Sequence, residues 1–335
     1  MISPETILWI IFGIFITGML LLDLGVLNRK VHVLSIKEAT IWSMVWIVSS
    51  LLFALGIYYL EGEAKSMEFI AGYLIEKSLS TDNIFVFIMI FAYFNVSPLQ
   101  QPRVLKWGIL GAIIMRALLI ATGVTLIKQF HWMTYVFGGL LAMTVVKMIL
   151  QGDEKFDPSK SWALKLLRAI VPVSKRYYGE RFFVRAGKGF FATPLLMVLV
   201  VVESSDLIFA LDSIPAIFAV TTDPFIVYTS NIFAILGLRA LYFVLAGMAQ
   251  VFEYLKPGII IILAFVAIKM LIVHWIKIPI SLSLAVIGGV LTISIIASWI
   301  NLRRNGQSLR DKMQAPDPMI SIRPNDDRTP RAATK

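Results

Sequence analysis

Cysteine is absent from this chain of 335 residues. Without a thiol, the protein can form no disulfide, no thiolate metal site and no cysteine nucleophile. Histidine is scarce as well, and His32, His131 and His274 all fall at or beyond the ends of apolar segments. The sequence therefore predicts no zinc site built on imidazole, and it contains no His-Glu-x-x-His motif.

Charge is also scarce. Only 16% of the residues are charged, whereas 58% are hydrophobic and the mean hydropathy is +0.80. These values predict an all-α integral membrane protein that is embedded in a lipid bilayer. The net charge of +10 does not indicate nucleic-acid binding, because the excess of basic residues lies in connections between apolar segments.

The apolar segments number nine, each about as long as the 20 residues that a helix needs to cross the hydrocarbon core. The first is expected to stay in the protein as a helix. The predicted spans are Thr6–Asn28, Thr40–Leu60, Phe69–Phe94, Val104–Ile127, Trp132–Leu150, Thr193–Ala219, Phe225–Gly247, Gly258–Val273 and Ser281–Ile300.

The basic residues predict an orientation. With nine alternating spans, 23 Lys and Arg residues fall in connections on one side of the membrane and 3 on the other. The positive-inside rule then places the N-terminus outside and the C-terminus in the cytoplasm. The longest basic connection, residues 152–192, mixes Trp162 and Leu166 with Lys and Arg. It fits either a short amphipathic helix on an anionic inner leaflet or a solvated loop. The polar tail, residues 301–335, is predicted to be disordered.

Two parts of the chain resemble each other. Three positions in the first part have a counterpart 122 to 124 residues later. Arg-Ala-Leu at Arg116 recurs at Arg239, Lys-Met at Lys147 recurs at Lys269, and Asp82 corresponds to Asp206. Each copy holds three predicted spans, so the second copy must cross the membrane in the opposite sense. The sequence therefore predicts an inverted three-helix repeat, a common build of transporters. The copies are residues 69–151 and 193–274, preceded by two helices in 1–68 and followed by one in 275–300.

Carboxylates inside the predicted spans are the strongest functional signal, because an ionised acid at the bilayer centre costs about 3 kcal/mol on insertion scales. The repeat makes two of them, Asp82 and Asp206, symmetry mates near the midplane. The acids can come together if they lie on facing helices or if the helices are broken. The Ser- and Thr-rich stretch that ends at Asn83, and Pro215 in the sixth span, favour breaks, which would also release carbonyl oxygens. The acids are Asp23, Glu76, Asp82, Glu203, Asp206 and Asp212.

Oxygen ligands of this kind, with the amide of Asn83, suit a hard divalent cation such as Mn²⁺, Mg²⁺ or Ca²⁺. Transport of such an ion is the leading interpretation, with the ion as substrate and no tightly bound organic cofactor. An alternative is that the acids only form ion pairs with buried bases and fix helix register. Asp23 suits a structural or an exit-path role. Lys147 and Lys269 lie near span ends and are expected to snorkel to the interface. The bases within the predicted spans are Lys77, Arg116, Lys147, Arg239 and Lys269.

Other functions fit less well. An intramembrane aspartyl protease needs only two carboxyls that share a proton, so five acids in two clusters do not indicate an enzyme. A non-transporting scaffold for secreted or membrane proteins, and an exporter of a basic amino acid, remain as alternatives. The sequence does not identify any protein partner.

Three stretches resemble the TerC family of membrane proteins, and within it the Alx-like members. They run from Gly72 to Phe85, from Val202 to Val220 and from Thr229 to Tyr242, and they include Asn231 and Arg239. The resemblance implies Mn²⁺ export from the cytoplasm across a bacterial inner membrane, on a fold similar to the lysine-exporter-type superfamily. It also implies the metal-handling residues, with Asn83 in support: Glu76, Asp82, Glu203, Asp206 and Asp212.

Overall fold

A computed structural model describes residues 4–21, 35–130, 132–151, 161–174, 176–186, 189–246 and 254–304. Asp23 and most of the polar tail lie outside the described residues, and only the backbone of Asp82 is described. The elements, in chain order, are α1 (Pro4–Leu21), α2 (Ile36–Glu61), α3 (Glu63–Tyr93), α4 (Gln101–Gln129), α5 (Met133–Gln151), α6 (Trp162–Ile170), β1 (Phe183–Ala186), β2 (Gly189–Ala192), α7 (Pro194–Phe218), α8 (Pro224–Leu236), α9 (Leu238–Ala246), α10 (Leu255–Leu271) and α11 (Ile280–Arg304).

Local sequence explains several helix boundaries. Ser35 caps α2 by accepting a hydrogen bond from the backbone N–H of Glu38 at 3.2 Å. Gly62, with φ of +94°, separates α2 from α3, and a side chain there would be strained. Asp223 caps α8 by accepting from the N–H of Phe225 at 2.9 Å, and proline occupies the first position of both α7 and α8.

The predicted helix breaks are wrong. Helix α3 runs without interruption through Asn83, because Ser78 and Thr81 donate their hydroxyls to carbonyls one turn back and do not compete with the helix. Helix α7 continues through Pro215, which lies in its last turn and so removes little of the hydrogen-bond ladder. The break lies at Gly237, where α8 and α9 meet at a bend of 40° inside the seventh predicted span.

Among the described residues, the fold is helical apart from one antiparallel hairpin, β1–β2, which the sequence did not predict. Five described helices are long and apolar enough to cross a membrane, or six if the bent pair α8–α9 counts as one span. Helix α3 falls outside this set because Glu76, Lys77 and Asp82 interrupt its apolar run, and α10 has only 17 residues. The protein is thus a multi-pass membrane protein, and the number nine stays a prediction.

Helix packing positions the site. Helix α3 packs against α7 and α8, α4 packs against the same two helices, and α5 packs against α10. Two apolar clusters fill the space between them. The Phe218 cluster includes Ile75, Ile120, Ala210, Phe218 and Val227. The Phe91 cluster includes Ile84, Phe91, Leu105, Val202 and Leu238.

Candidate functional site

Arg116 of α4 is the centre of a polar network inside the helix bundle. Its guanidinium lies between Glu76 of α3 and Asp206 of α7, and the side chains of Arg116 and Glu76 are 0% exposed. Nη2 contacts Asp206 Oδ1 at 3.1 Å, and Nε donates to Oδ2 at 3.5 Å, so the planar fork of the guanidinium engages both carboxylate oxygens. Nη1 forms an ion pair with Glu76. One base therefore bridges two acids that the sequence assigned to a cation site.

Two neutral side chains complete the network. Asn231 of α8 accepts from Arg116 Nη1 at 3.2 Å and donates through Nδ2 to Glu76 Oε2 at 3.2 Å. Ser213 Oγ lies 3.4 Å from Nη1. Four helices thus contribute to one hydrogen-bonded unit, and a buried ion pair is tolerated only when its remaining donors and acceptors are satisfied in this way.

The network lies between two apolar layers. Along α7, Asp206 follows Val202 of the Phe91 cluster and precedes Ala210 of the Phe218 cluster. Along α4, Arg116 stands between Leu105 of the Phe91 cluster and Ile120 of the Phe218 cluster. On α3, and along α8 and α9, the order along the chain is reversed: the Phe218 cluster comes before Glu76 and Asn231, and the Phe91 cluster follows them. The network is therefore flanked on both sides by apolar side chains.

Glu203 lies beside this network, about one helical turn from Asp206 on the same face of α7. Both residues line a cavity of about 20 Å³. A cavity of that size holds one water molecule, since about 10–15 Å³ is needed for one. Glu203 also presses against α4, because a Cβ placed on Gly111 would collide with its carboxylate. The absence of a side chain at Gly111 makes room for this acid.

Asp212 is separate from the network. Its carboxylate accepts a hydrogen bond from Thr144 of α5 at 2.8 Å, and Lys147 lies near enough to interact with it electrostatically. Asp212 is six residues from Asp206 on an unbroken helix, so at 100° per residue the two acids point in different directions.

The buried bases occupy distinct places. Lys77 of α3 directs its ammonium at the end of α8, where Nζ lies 3.4 Å from the carbonyl oxygen of Ala234. A Cβ on Gly237 would lie 2.7 Å from that Nζ, so the glycine at the helix break also makes room for the lysine. Arg239 is buried at the start of α9, directly after the break, and Lys269 of α10 donates to Ser283 of α11 at 2.8 Å.

The remaining predicted residues are placed as follows. Asn83 is buried in α3 with 3% of its surface exposed, and the Asp82 backbone lies in the same helix. Neither the Asp82 side chain nor Asp23 can be located, because both lie outside the described residues. Among the residues that the structure describes, no three His, Asp or Glu side chains converge to hold a metal ion.

A wider cavity opens at the ends of α3, α4 and α7 on the far side of the Phe218 cluster. Its volume is about 660 Å³, and its lining carries Lys65, Glu68, Lys128 and Asp223. Phe218 lies at its base, packed so closely on α4 that a Cβ on Gly123 would meet the ring at 2.6 Å. This vestibule and the small cavity near Glu203 lie on opposite sides of the network.

Sequence reasoning missed Ser213 and Thr144. Both are hydroxyl residues in apolar helices, and such residues are common as packing partners that bond to their own backbone. Arg116 was identified as a counter-charge, but the sequence did not reveal that it joins Glu76 and Asp206.

The fold and the site together define a multi-pass helical membrane protein with a charged layer buried at its centre. The family described as "Integral membrane protein TerC family" matches residues 61–306, and the chain belongs to this family.

Individual relatives cover nearly the whole chain. "Uncharacterized membrane protein STKORF319" of Myxococcus xanthus is 51% identical over 88% of this chain and 93% of its own length. A protein of Escherichia coli K12 with the name "Putative membrane-bound redox modulator Alx" is 47% identical over 90% of this chain and 97% of its own. A membrane protein of Rickettsia bellii is 44% identical over 87% and 97%. No solved structure matches the chain.

Proposed function

We propose that this protein exports a divalent metal cation, Mn²⁺ in the first instance, by alternating access through the buried carboxylate layer. The observation that carries the proposal is the buried pairing of Glu76 and Asp206 with one guanidinium, with Glu203 beside Asp206 on the wall of a small cavity. Intramembrane ionisable groups of this kind mark ion pathways. The choice of Mn²⁺ over Mg²⁺ or Ca²⁺ rests on the family resemblance, because oxygen ligands accept all three.

Formal charge supports a divalent substrate. In their carboxylate forms Glu76, Asp206 and Glu203 would carry three negative charges, and Arg116 would offset one of them. One divalent cation neutralises the remaining two. In this conformation the positive charge of Arg116 occupies part of the place that the metal would take. We propose that the metal binds Glu203 first and then draws Asp206 away from the guanidinium. Glu203 is nearer than Asp206 to the start of α7, which follows the basic connection, so it faces the side from which the cation would come.

Helix packing supports an inverted repeat of α3, α4 and α5 with α7, the α8–α9 pair and α10. In this repeat α3 corresponds to α7, α4 to the α8–α9 pair and α5 to α10. The contact of α3 with α8 therefore has as its symmetry equivalent the contact of α7 with α4, and both contacts are present. The α3–α7 and α5–α10 contacts are each their own symmetry equivalent. Rocking of one copy against the other would part the Phe91 cluster in one state and the Phe218 cluster in the other.

The direction of transport follows from the proposed orientation. With the C-terminus in the cytoplasm of a bacterial inner membrane, the small cavity near Glu203 faces inward and the 660 Å³ vestibule faces outward. Carboxylates that release a metal take up protons, so we propose that export is coupled to proton uptake from outside.

The redox role in the name of the Escherichia coli relative suggests a second candidate function. This chain has no cysteine, so it cannot act by thiol–disulfide exchange. An influence on cellular redox state would have to come through the transported ion.

The test is Mn²⁺ uptake by the purified protein in proteoliposomes with an imposed pH gradient. Asp206→Asn and Glu203→Gln should abolish uptake. Glu180→Gln is the matched control, because Glu180 has the same chemistry but pairs with Arg103 outside the network. Unchanged uptake by Asp206→Asn and Glu203→Gln would contradict the proposal. Inhibition of Mn²⁺ uptake by lysine, but not by Mg²⁺, would indicate that a basic amino acid is the substrate.

A structural role is the main alternative, and the bridging position of Arg116 favours it. Under that alternative the acids only hold α3, α4 and α7 in register, and the protein acts as a scaffold. Glu203→Gln distinguishes the two, since Glu203 has no part in the Arg116 bridge. A scaffold predicts normal stability and no Mn²⁺ flux for either the parent or this variant, whereas transport predicts flux in the parent alone.

A further inference from the structure

Helix α6 presents three different faces. Ala163 and Leu164 are buried against the bundle, with Leu167 partly buried beside them. At 100° per residue, Trp162 and Leu166 share a second face, and both are more than half exposed. Lys165 and Arg168 form a third face, next to the second and also exposed. A helix of a water-soluble loop would not place large apolar side chains in the open beside its basic ones.

Both ends of α6 are fixed to α7. At its start, Ser161 Oγ lies 3.4 Å from Ser204 Oγ, and beyond its end Val173 pairs with Ala192, just ahead of α7. Helix α6 therefore lies antiparallel along the first part of α7. Ser204 is about 15 Å from the start of α7 at 1.5 Å per residue. Helix α6 thus runs from the level of Ser204, two residues before Asp206, to the end of α7 that is nearer the headgroups.

The β1–β2 hairpin adds a second surface of the same composition. Arg185 pairs with Phe190 in the register, so both side chains project from one face, together with Phe183. Phe183 and Phe190 stack at 5.0 Å and are 44% and 59% exposed. The segment is held in place, because Tyr177 donates to the carbonyl oxygen of Phe94 at 2.6 Å. Burial raises the pKa of Tyr177 to about 12, so the hydroxyl keeps its proton.

Charge on this surface has one sign. Five exposed bases lie on α6, on the hairpin and between them. Among the described residues from 161 to 192 the only acid is Glu180, and it pairs with Arg103 at 3.0 Å. The bases are Lys165, Arg168, Arg176, Arg181 and Arg185.

We propose that α6 and the β1–β2 hairpin form a binding surface for anionic phospholipid headgroups of the membrane in which the protein lies. Trp162, Leu166 and Ile170 enter the acyl region, and the five bases contact the phosphates. Charge complementarity and the place of α6 along α7 support a lipid over a protein partner. The proposal needs only the membrane position of α7, and it stands or falls independently of metal transport.

The first experiment measures depth. The chain has no cysteine, so single spin labels can be placed at Leu166→Cys, Ile170→Cys and Lys165→Cys with no background. In nanodiscs calibrated with spin-labelled lipids, the labels at 166 and 170 should be accessible to oxygen and shielded from a water-soluble nickel complex. The label at 165 lies at nearly the same depth along α6 as the label at 166 but on the basic face, so it should be more accessible to the nickel complex than that label. Nickel accessibility of the first two labels equal to that of a label in water would overturn the proposal.

The second experiment measures lipid selectivity. Spin-labelled phosphatidylglycerol should be enriched over phosphatidylcholine around the protein, and the preference should fall about threefold in the variant Lys165→Gln, Arg168→Gln, Arg185→Gln. The matched control removes the same number of exposed charges elsewhere, with Lys37→Gln, Lys128→Gln and Lys277→Gln. Equal loss in both triple variants would mean that only net charge matters, and an unchanged preference in the first would mean that the surface binds something other than lipid. Either result would overturn the proposal.

Discussion

Two of the ion pairs between described helices have completely different surroundings. Arg116 meets Glu76 where both side chains are 0% exposed, between two apolar clusters. Lys65 meets Asp223 at the mouth of the vestibule, where the side chains are 36% and 19% exposed. Water and salt screen the second pair but not the first. The same chemistry is therefore expected to fix the helix packing at the centre of the bundle and to contribute little at its end.

The largest effect is expected from Arg116→Met. This substitution leaves Glu76 and Asp206 unpaired inside the bundle, and breaking a buried pair in this way costs about 3–5 kcal/mol. Thermal unfolding in nanodiscs should show a large fall in Tm. The triple variant Arg116→Met, Glu76→Gln, Asp206→Asn should recover most of that loss, because no uncompensated charge remains. A triple variant as unstable as the single one would show that the charges are not the cause.

A smaller effect, on function alone, is expected from Gly111→Ala. The new methyl group would occupy the space of the Glu203 carboxylate, which is the end of a flexible side chain and can turn away. Stability should therefore change by less than about 1 kcal/mol, since Ala also favours the helix. Mn²⁺ uptake should fall about tenfold, the equivalent of about 1.4 kcal/mol. Gly139→Ala on α5 is the control, because nothing lies within 4 Å of its added Cβ. Equal uptake by both variants would remove Glu203 from the pathway.

Helical periodicity predicted part of this site. Acids in apolar segments indicated a buried charged layer, and 100° per residue already separated Asp212 from the others. Glu76 and Asp206 do meet in the structure, and Arg116, Arg239 and Lys269 of the matching segments are buried, whereas Lys147 is exposed. What one sequence could not reveal was the pairing across helices, because the partners of Arg116 come from positions 40 and 90 residues away.

The helix break shows a second limit of sequence reasoning. Polar residues near Asp82 and the proline at 215 are local signals for a break, yet both helices continue. The actual break at Gly237 depends on contacts with Lys77 and Trp46, which come from other helices. In a membrane, unwound backbone is tolerated only where other groups satisfy it. Its position therefore depends on packing that local composition does not encode.

At the exposed pair, Asp223→Ala should have a moderate effect for a reason other than charge. Asp223 accepts hydrogen bonds from the N–H groups of Phe225 and Ile226, and loss of such a cap costs about 1 kcal/mol. Asp223→Asn keeps the cap and removes the ion pair with Lys65, so it should retain most of the stability. Measuring the unfolding of both variants separates the contribution of the cap from that of the ion pair. Equal losses of stability would assign the effect to the ion pair and would mean that the exposed pair contributes substantially.

The smallest effect is expected from Lys65→Met, which removes the ion pairs of Lys65 with Asp223 and Glu61 and leaves the cap of α8 intact. An exposed pair contributes about 0–1 kcal/mol, and the Debye length falls from about 30 Å at 0.01 M salt to about 3 Å at 1 M. The Tm difference from the parent should therefore be small at low salt and vanish at high salt. The difference caused by Arg116→Met should persist at both, because salt does not reach the buried layer. A salt-sensitive Arg116→Met would mean that water penetrates between the two apolar clusters, and the carboxylate layer would then be open to solvent in this conformation.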